Sequence, residues 1–276
     1  LPEIAEVKIF TDQLNKEFGG QALQNIEIVG GRFLKKPIEK FHQLIYPLHD
    51  TKFNCKGKFL YWTFDEEEVF FITLGMAASF GPKSKHSALK FTFGSGDIYF
   101  NDIRHFGTFK ISDQIGLDYK LNTLGWDALQ EPIPFDLKQH LWKRCEQKTI
   151  AEALLDQRVF AGVGNYIRSE VLYLSKIHPL RPVCGGYGLS NQEIDTICNN
   201  IIVVAQEAYK SGGATIATFK DMYGNTGKFF DKFKVYSRKT DPDNNPITKI
   251  TAPDGRSVFY VDSIQKLNYI RRTVRL

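Results

Sequence analysis

Residues 154–179, LLDQRVFAGVGNYIRSEVLYLSKIHP, hold the densest run of chemistry-bearing positions in the chain. Gly162 and Gly164, in Ala161-Gly162-Val163-Gly164-Asn165, can take positive φ and let the turn come close to another molecule. Asn165 is expected at the N-cap of the next helix, with Ile167, Val171 and Leu174 on its buried side. Free N–H groups and an amide at a helix start make a phosphate site. Taken alone, the same pattern also describes an ordinary helix hairpin. Pro2, Glu3 and Glu6 open the chain, where proline suits the first turn of a helix. Lys58 follows Gly57 at the head of a strand. His105, His140 and His178 have no partners in the sequence and are expected to be structural. Cys55, Cys145, Cys184 and Cys198 show no C-x-x-C pair and no zinc spacing, which reads as buried thiols in a reducing compartment. No metal site and no cofactor are expected.

The elements that must position these residues fall into two groups. Val7, Phe10, Leu14 and Phe18 recur at helical spacing, and Gly19-Gly20 ends that helix. FLYWTF (59–64), VFFITL (69–74), LKFTF (89–93) and IYFND (98–102) are aromatic and β-branched, with turn signals between them, and predict an all-β sandwich or barrel. A less regular connector over 113–134 ends in EPIPF, a domain boundary by composition. Asp136–Arg144 is expected as a short helix with Leu137 and Leu141 inward. Ser190 and Glu193 make a capping box before Ile194, Ile197, Ile201, Val204 and Ala208. After a loop over 214–230, strands are expected again in FKVYSR, PITKITA and RSVFYV. The fold class is therefore α+β with two domains.

A chain of 276 residues is long enough for two domains. Its net charge of +5 is uneven. From Lys228 onward there are 11 Lys/Arg against 5 Asp/Glu, a surplus of six, which leaves residues 1–227 near neutral. A basic C-terminal quarter suggests a polyanionic partner. No apolar run is long enough to span a bilayer, so no membrane partner is expected. The polar start LPEIAEVK shows no secretory signal. The expected place is the cytoplasm or nucleoid if the source is bacterial, the nucleus if eukaryotic.

LLDQ-x-x-x-AG-x-GN-x-x-x-x-E-x-L followed by IHPLRP resembles the helix–two-turn–helix of the formamidopyrimidine-DNA glycosylase / endonuclease VIII family, and the resemblance covers nearly the whole chain. It implies an N-terminal β-sandwich with flanking helices over 1–112 and a connector over 113–134. A helical domain with the helix–two-turn–helix and a lesion-covering loop would fill 135–230. A β-hairpin finger over 231–267 and a basic tail over 268–276 would follow. The family opens Pro-Glu-x-x-Glu, matched by PEIAE. Pro2 would then attack C1′ of a damaged nucleoside and form an iminium. Glu3 would supply acid/base help, and Glu6 would orient the amine. Lys58, Asn165, Gly164, Tyr236 of VYSR and Arg256 would hold the DNA backbone, Lys58 also assisting at the sugar. A target base must leave the stack, and Met76, Arg104 and Phe106 would fill the gap it leaves, a trio that looks like the formamidopyrimidine branch. Thr73 departs from the histidine that many members carry there. The family's four-cysteine zinc finger is also missing its cysteines, with Val261 and Ile264 where the last pair would stand, so the finger is expected to be zincless.

The implied activity is a bifunctional DNA glycosylase/AP lyase of base excision repair. It would remove formamidopyrimidines, 8-oxoguanine and, second, oxidised pyrimidines from double-stranded DNA by β,δ-elimination, and would act as a monomer. Leu1 in front of Pro2 is a departure, because an acylated proline nitrogen is an amide and no nucleophile. The expectation is that Leu1 is absent from the working protein. If it is retained, the chain reads as an inactive protein that binds lesions or abasic sites. A general helix-hairpin nucleic-acid binder is the remaining alternative, and it leaves PEIAE unexplained.

Overall fold

The structure, a computed structural model, describes residues 2–215 and 219–267. Leu1, three residues of the expected lesion-covering loop (216–218) and the expected basic tail (268–276) lie outside the described residues. The chain opens with helix α1 (Ile4–Phe18) and strand β1 (Leu23–Ile28). Seven strands follow: β2 (Lys52–Lys56), β3 (Phe59–Thr63), β4 (Val69–Thr73), β5 (Ala78–Gly81), β6 (Ser87–Phe93), β7 (Gly96–Asp102) and β8 (Thr108–Ser112). They form two antiparallel four-stranded sheets, ordered β1-β6-β7-β5 and β2-β3-β4-β8. Period-2 alternation turns Leu60, Trp62, Phe70, Ile72, Phe109 and Ile111 of one sheet toward Phe80, Leu89, Phe91 and Phe100 of the other. Trp62 sits at the centre, with ring centroids 4.6 Å from Phe91 and 4.7 Å from Phe53.

The stretch expected as an irregular connector is partly regular. It holds helix α2 (Gln114–Asn122), capped by the Asp113 carboxylate, and the short strand β9 (Trp126–Asp127). Leu117 of α2 packs on Phe59 and Val69, on the outer side of the second sheet. Helices α3 (Leu137–Cys145) and α4 (Ile150–Leu154) follow, then strand β10 (Phe160–Ala161), which pairs in parallel with β9. Helices α5 (Asn165–Leu174) and α6 (Asn191–Lys210) complete the helical core. The capping box of Ser190 and Glu193 is present, and all five apolar positions named for α6 are buried.

Only two strands close the described chain, β11 (Thr248–Thr251) and β12 (Ser257–Tyr260), as an antiparallel hairpin. FKVYSR, expected as a strand, is not one. The buried carboxylate of Glu170 accepts the N–H groups of Lys234, Val235 and Tyr236 at 2.8–2.9 Å, so these donors are not free for a ladder.

The two cores are not divided cleanly along the sequence. Ile4 and Ala5 belong to the helical core, whereas Val7, Phe10, Leu14 and Phe18 of the same helix belong to the sandwich core. In return Met222, from the loop after α6, is buried in the sandwich core, with Phe219 packed beside it.

Candidate active site

Helix α5 begins where the glycine turn meets the N-terminus of the chain. Glu3 directs its carboxylate at that helix start. It accepts the N–H groups of Gly164 at 2.7 Å, Tyr166 at 2.9 Å and Ile167 at 3.3 Å. The N-cap is Gly164, and Asn165 is the first helical residue, which corrects the cap expected at Asn165. The turn is also not an open phosphate site, because Glu3 already occupies its donors. The glycines serve an approach within the chain. A Cβ on Gly164 would lie 2.2 Å from the carboxyl carbon of Glu3. Gly162, at φ +92°, would press a Cβ to 2.6 Å from Cβ of Ile4 and 2.9 Å from Cα of Gly57.

Glu3 is 2% exposed. Burial lifts its pKa from 4.5 to about 7, against the pull of the Lys58 charge and with the push of Glu6. Glu6 is buried too and bridges three elements. It accepts the Glu3 N–H at 2.8 Å, the Ala214 N–H at 2.7 Å and the Tyr166 hydroxyl at 3.2 Å. Burial raises its pKa, and the Ala214 and Glu3 N–H groups oppose the rise. Pro2, half-buried, directly precedes this pair.

Lys58 reaches the same place from the β2–β3 turn. Gly57 forms that turn at φ +59° and donates its N–H to Asp127 at 2.7 Å. The Lys58 ammonium donates to the Val163 carbonyl at 2.8 Å, inside the glycine turn. Burial lowers the Lys58 pKa, the Glu3 charge raises it, and the Arg256 charge lowers it further. Lys58, Glu3, Glu6 and Arg256 therefore share one electrostatic neighbourhood.

Asn165 turns its amide to the hairpin, donating to the Ser257 carbonyl at 2.9 Å. Arg168, which the sequence reading did not single out, lies buried behind it. Its guanidinium pairs with Asp254 at 3.0 Å and donates to the carbonyls of Ala151 and Ser257 and to the Asn165 side chain. Tyr166 was missed as well, and Glu170, the glutamate of the motif ending E-x-L, was given no role. One signal was available: Asn165 and Arg168 stand three apart on a helix, so they share a face. Arg256 is exposed at the hairpin turn, where its N–H donates to Asp254. Tyr236 packs edge-on against Phe259 and Phe233, with centroids 5.1 and 5.4 Å away. The residues of this hairpin region do not fit a zinc ion. Val261 is apolar and buried, and no cysteine follows Cys198. Asp241 is engaged by the N–H groups of Asp243 and Asn245 and by the Tyr173 hydroxyl. Gln265, also buried, joins the Val261 N–H to the Ile177 carbonyl, both at 2.8 Å.

Sheet register brings a third set to the same rim. Phe59 pairs with Thr73, and Thr73 pairs with Thr108. The residues just beyond, Lys58, the loop 74–77 and the loop 103–107, thus leave one end of the sheet together. Met76 is 39% exposed and Phe106 52% exposed, and the Arg104 guanidinium lies 5.5 Å from the Phe106 ring centroid. Neither apolar side chain is core. His140 and His178 make local contacts instead, His140 with the Arg158 carbonyl and His178 with the Leu180 N–H and the Tyr260 ring.

Comparison with known proteins agrees with this architecture. The formamidopyrimidine-DNA glycosylase N-terminal domain matches residues 1–109, and the formamidopyrimidine-DNA glycosylase H2TH domain matches residues 124–220. The formamidopyrimidine-DNA glycosylase of Oceanobacillus iheyensis is 30% identical over 254 residues, 88% of this chain and 90% of that protein. A solved complex between Lactococcus lactis Fpg and DNA containing an abasic site is 27% identical, with a TM-score of 0.80 over 96% of this chain and 99% of that one. A point mutant of the Lactococcus lactis protein, solved with Fapy-dG containing DNA, is 26% identical with a TM-score of 0.82, over 96% of this chain and 100% of that one. The chain belongs to the formamidopyrimidine-DNA glycosylase family.

Proposed function

We propose that this protein is a base-excision DNA glycosylase and AP lyase that removes oxidised bases, formamidopyrimidines and 8-oxoguanine first, from double-stranded DNA. The observation that carries the reading is the seat of Glu3. A carboxyl with a pKa of about 7 stands next to Pro2, within the field of Lys58, at the start of α5. A group poised near neutral pH can both give and take a proton. The DNA partner follows from the likeness to relatives solved on lesion-bearing DNA.

In this reading the Pro2 nitrogen attacks C1′. The N–C1′ bond forms, the glycosidic bond breaks, and the base leaves with a proton. The amine's own proton goes with the base. The nitrogen lone pair then breaks the C1′–O4′ bond to give the iminium, while Glu3 supplies a proton to O4′. Glu6 orients the amine through the Glu3 backbone. The resulting iminium acidifies C2′. Loss of the C2′ proton expels the 3′ phosphate, and a second elimination expels the 5′ phosphate. Lys58, Asn165, Tyr236 and Arg256 hold the backbone around the extruded nucleotide, Arg256 with a bidentate guanidinium, while Gly164, its N–H taken by Glu3, seats that carboxylate instead. Met76, Arg104 and Phe106 fill the gap left behind. The loop 214–230 covers the base, and the hairpin holds its shape by packing where other members of the family use zinc.

The test is borohydride trapping on duplex DNA with one abasic site, in buffer containing EDTA, with the intact mass of the protein measured alongside. The expected result is a covalent adduct at Pro2 in protein that lacks Leu1. Absence of an adduct in such protein refutes the amine mechanism. Tight binding of abasic DNA without an adduct, in protein that keeps Leu1, supports the lesion-binding alternative.

A further inference from the structure

The loop 103–107 is fixed more firmly than an exposed connection needs to be, and one of the residues that fix it has no part in the reading above. Arg32 lies in a single 3₁₀ turn, Gly31–Leu34, and its guanidinium Nη1 donates to the carbonyls of His105 at 3.3 Å and Gly107 at 3.1 Å. These two carbonyls flank Phe106. The turn itself sits close: a Cβ on Gly31, at φ +68°, would lie 3.5 Å from Nδ1 of His105. His105 is held at φ +57°, a left-handed conformation that costs a non-glycine residue free energy and persists only where its surroundings hold it. From below, the buried Asp102 carboxylate accepts the Gly107 N–H at 2.8 Å. From the side, Gly75 packs so tightly that a Cβ there would be 2.5 Å from the Phe106 carbonyl oxygen. The backbone is thus fixed on every side of Phe106, while the ring itself projects half-exposed.

We propose that Arg32 is a positioning residue that presets Phe106 for insertion into the duplex; this deepens, and rests on, the gap-filling role proposed for Phe106. A side chain already held in its working direction loses less conformational freedom when it wedges between bases. Without Arg32, two carbonyls lose a charged donor and the left-handed turn at His105 is free to relax. The ring then samples directions in which it cannot enter the stack.

The test uses R32A, F106A and the double variant on the full chain. Two rates are compared under single turnover: excision from a duplex with one formamidopyrimidine, and cleavage at a preformed abasic site. R32A is expected to slow excision relative to abasic cleavage by about tenfold. R32K should recover part of that loss. In the F106A background, R32A should add no more than about twofold, because the two residues act as one unit. The salt dependence of DNA binding should not change. Equal loss on both substrates, an undiminished R32A effect in the F106A background, or a salt slope lower by about one, the mark of a lost phosphate contact, would each overturn the inference. A selective loss in F106A with R32A matching the wild type defeats the inference alone. No selective loss in F106A defeats the gap-filling role beneath it.

Discussion

Glu3 is pulled in two directions. Three N–H groups at a helix start and the nearby ammonium of Lys58 favour the carboxylate, while burial disfavours it more, and the balance falls near neutrality. This position has a signature in stability. Below pH 4.5 the carboxyl is protonated in folded and unfolded chains alike. Between about 4.5 and about 7 only the unfolded chain releases the proton, so the contribution of this group to stability falls as pH rises through that window and levels off above it. A shift of this size is worth up to about 3 kcal/mol. Glu3→Gln removes the titration, so its urea midpoint should change less between pH 5 and pH 8 than that of the wild type. Parallel pH profiles for the two proteins would show that Glu3 is not the group that titrates. PEIAE marked Glu3 in the sequence, but nothing there joined it to α5, because its partners lie more than 160 residues away.

Among elements, the glycine turn before α5 carries the most information. Its composition announced a close approach, and the approach is real. What the sequence could not say is that the approaching body is the chain's own N-terminus together with the β2–β3 turn. A glycine selected for contact with DNA and one selected for contact with Glu3 look alike in a sequence. FKVYSR failed for a related reason: its β-like pattern was overridden by one distant carboxylate, Glu170. The helices and the sandwich strands were legible because their period is local. The turn now makes a prediction with two separable parts. Gly164 has φ −127° and ψ −158°, which alanine can adopt, so Gly164→Ala acts only by pushing the Glu3 carboxylate away. Trapping on abasic DNA should fall by about 100-fold, and the α5 N–H groups that Glu3 vacates should lower the thermal midpoint as well. Gly162→Ala instead places a side chain at positive φ against Ile4 and Gly57, and should cost about 2 kcal/mol or more in unfolding experiments. A Gly164→Ala protein that traps normally would mean that the seat of Glu3 is not required.

At the scale of the whole molecule, the two cores exchange parts. The first residues of α1 are buried among helices and the rest of it among strands, so the helix that carries Glu3 and Glu6 belongs to both. The loop after α6 returns the exchange. Met222 is buried in the sandwich core, Phe219 packs on Phe10 with centroids 5.6 Å apart, and Gln13 donates to Asp221. The two-domain fold class was legible in the sequence as two kinds of periodicity, one after the other. The exchange was not, because a lone methionine in a glycine-bearing loop gives no sign of the core it enters. The consequence is mechanical: neither core can open without stripping apolar side chains from the other. Two-domain chains often unfold in steps, yet this one should unfold in a single transition, with Trp fluorescence and far-UV circular dichroism changing together. Trp62 reports the sandwich core and Trp126 the helical one, so the fluorescence signal samples both. Met222→Ala leaves a cavity in the sandwich core and should lower the common midpoint by roughly 5 °C. Should it split the transition in two, the loop would be the main tie between the cores. Should it leave the midpoint untouched, Met222 carries no part of the joint, and the union rests on α1 and on the β2–β3 turn, whose Gly57 and Lys58 bond to Asp127 and Val163.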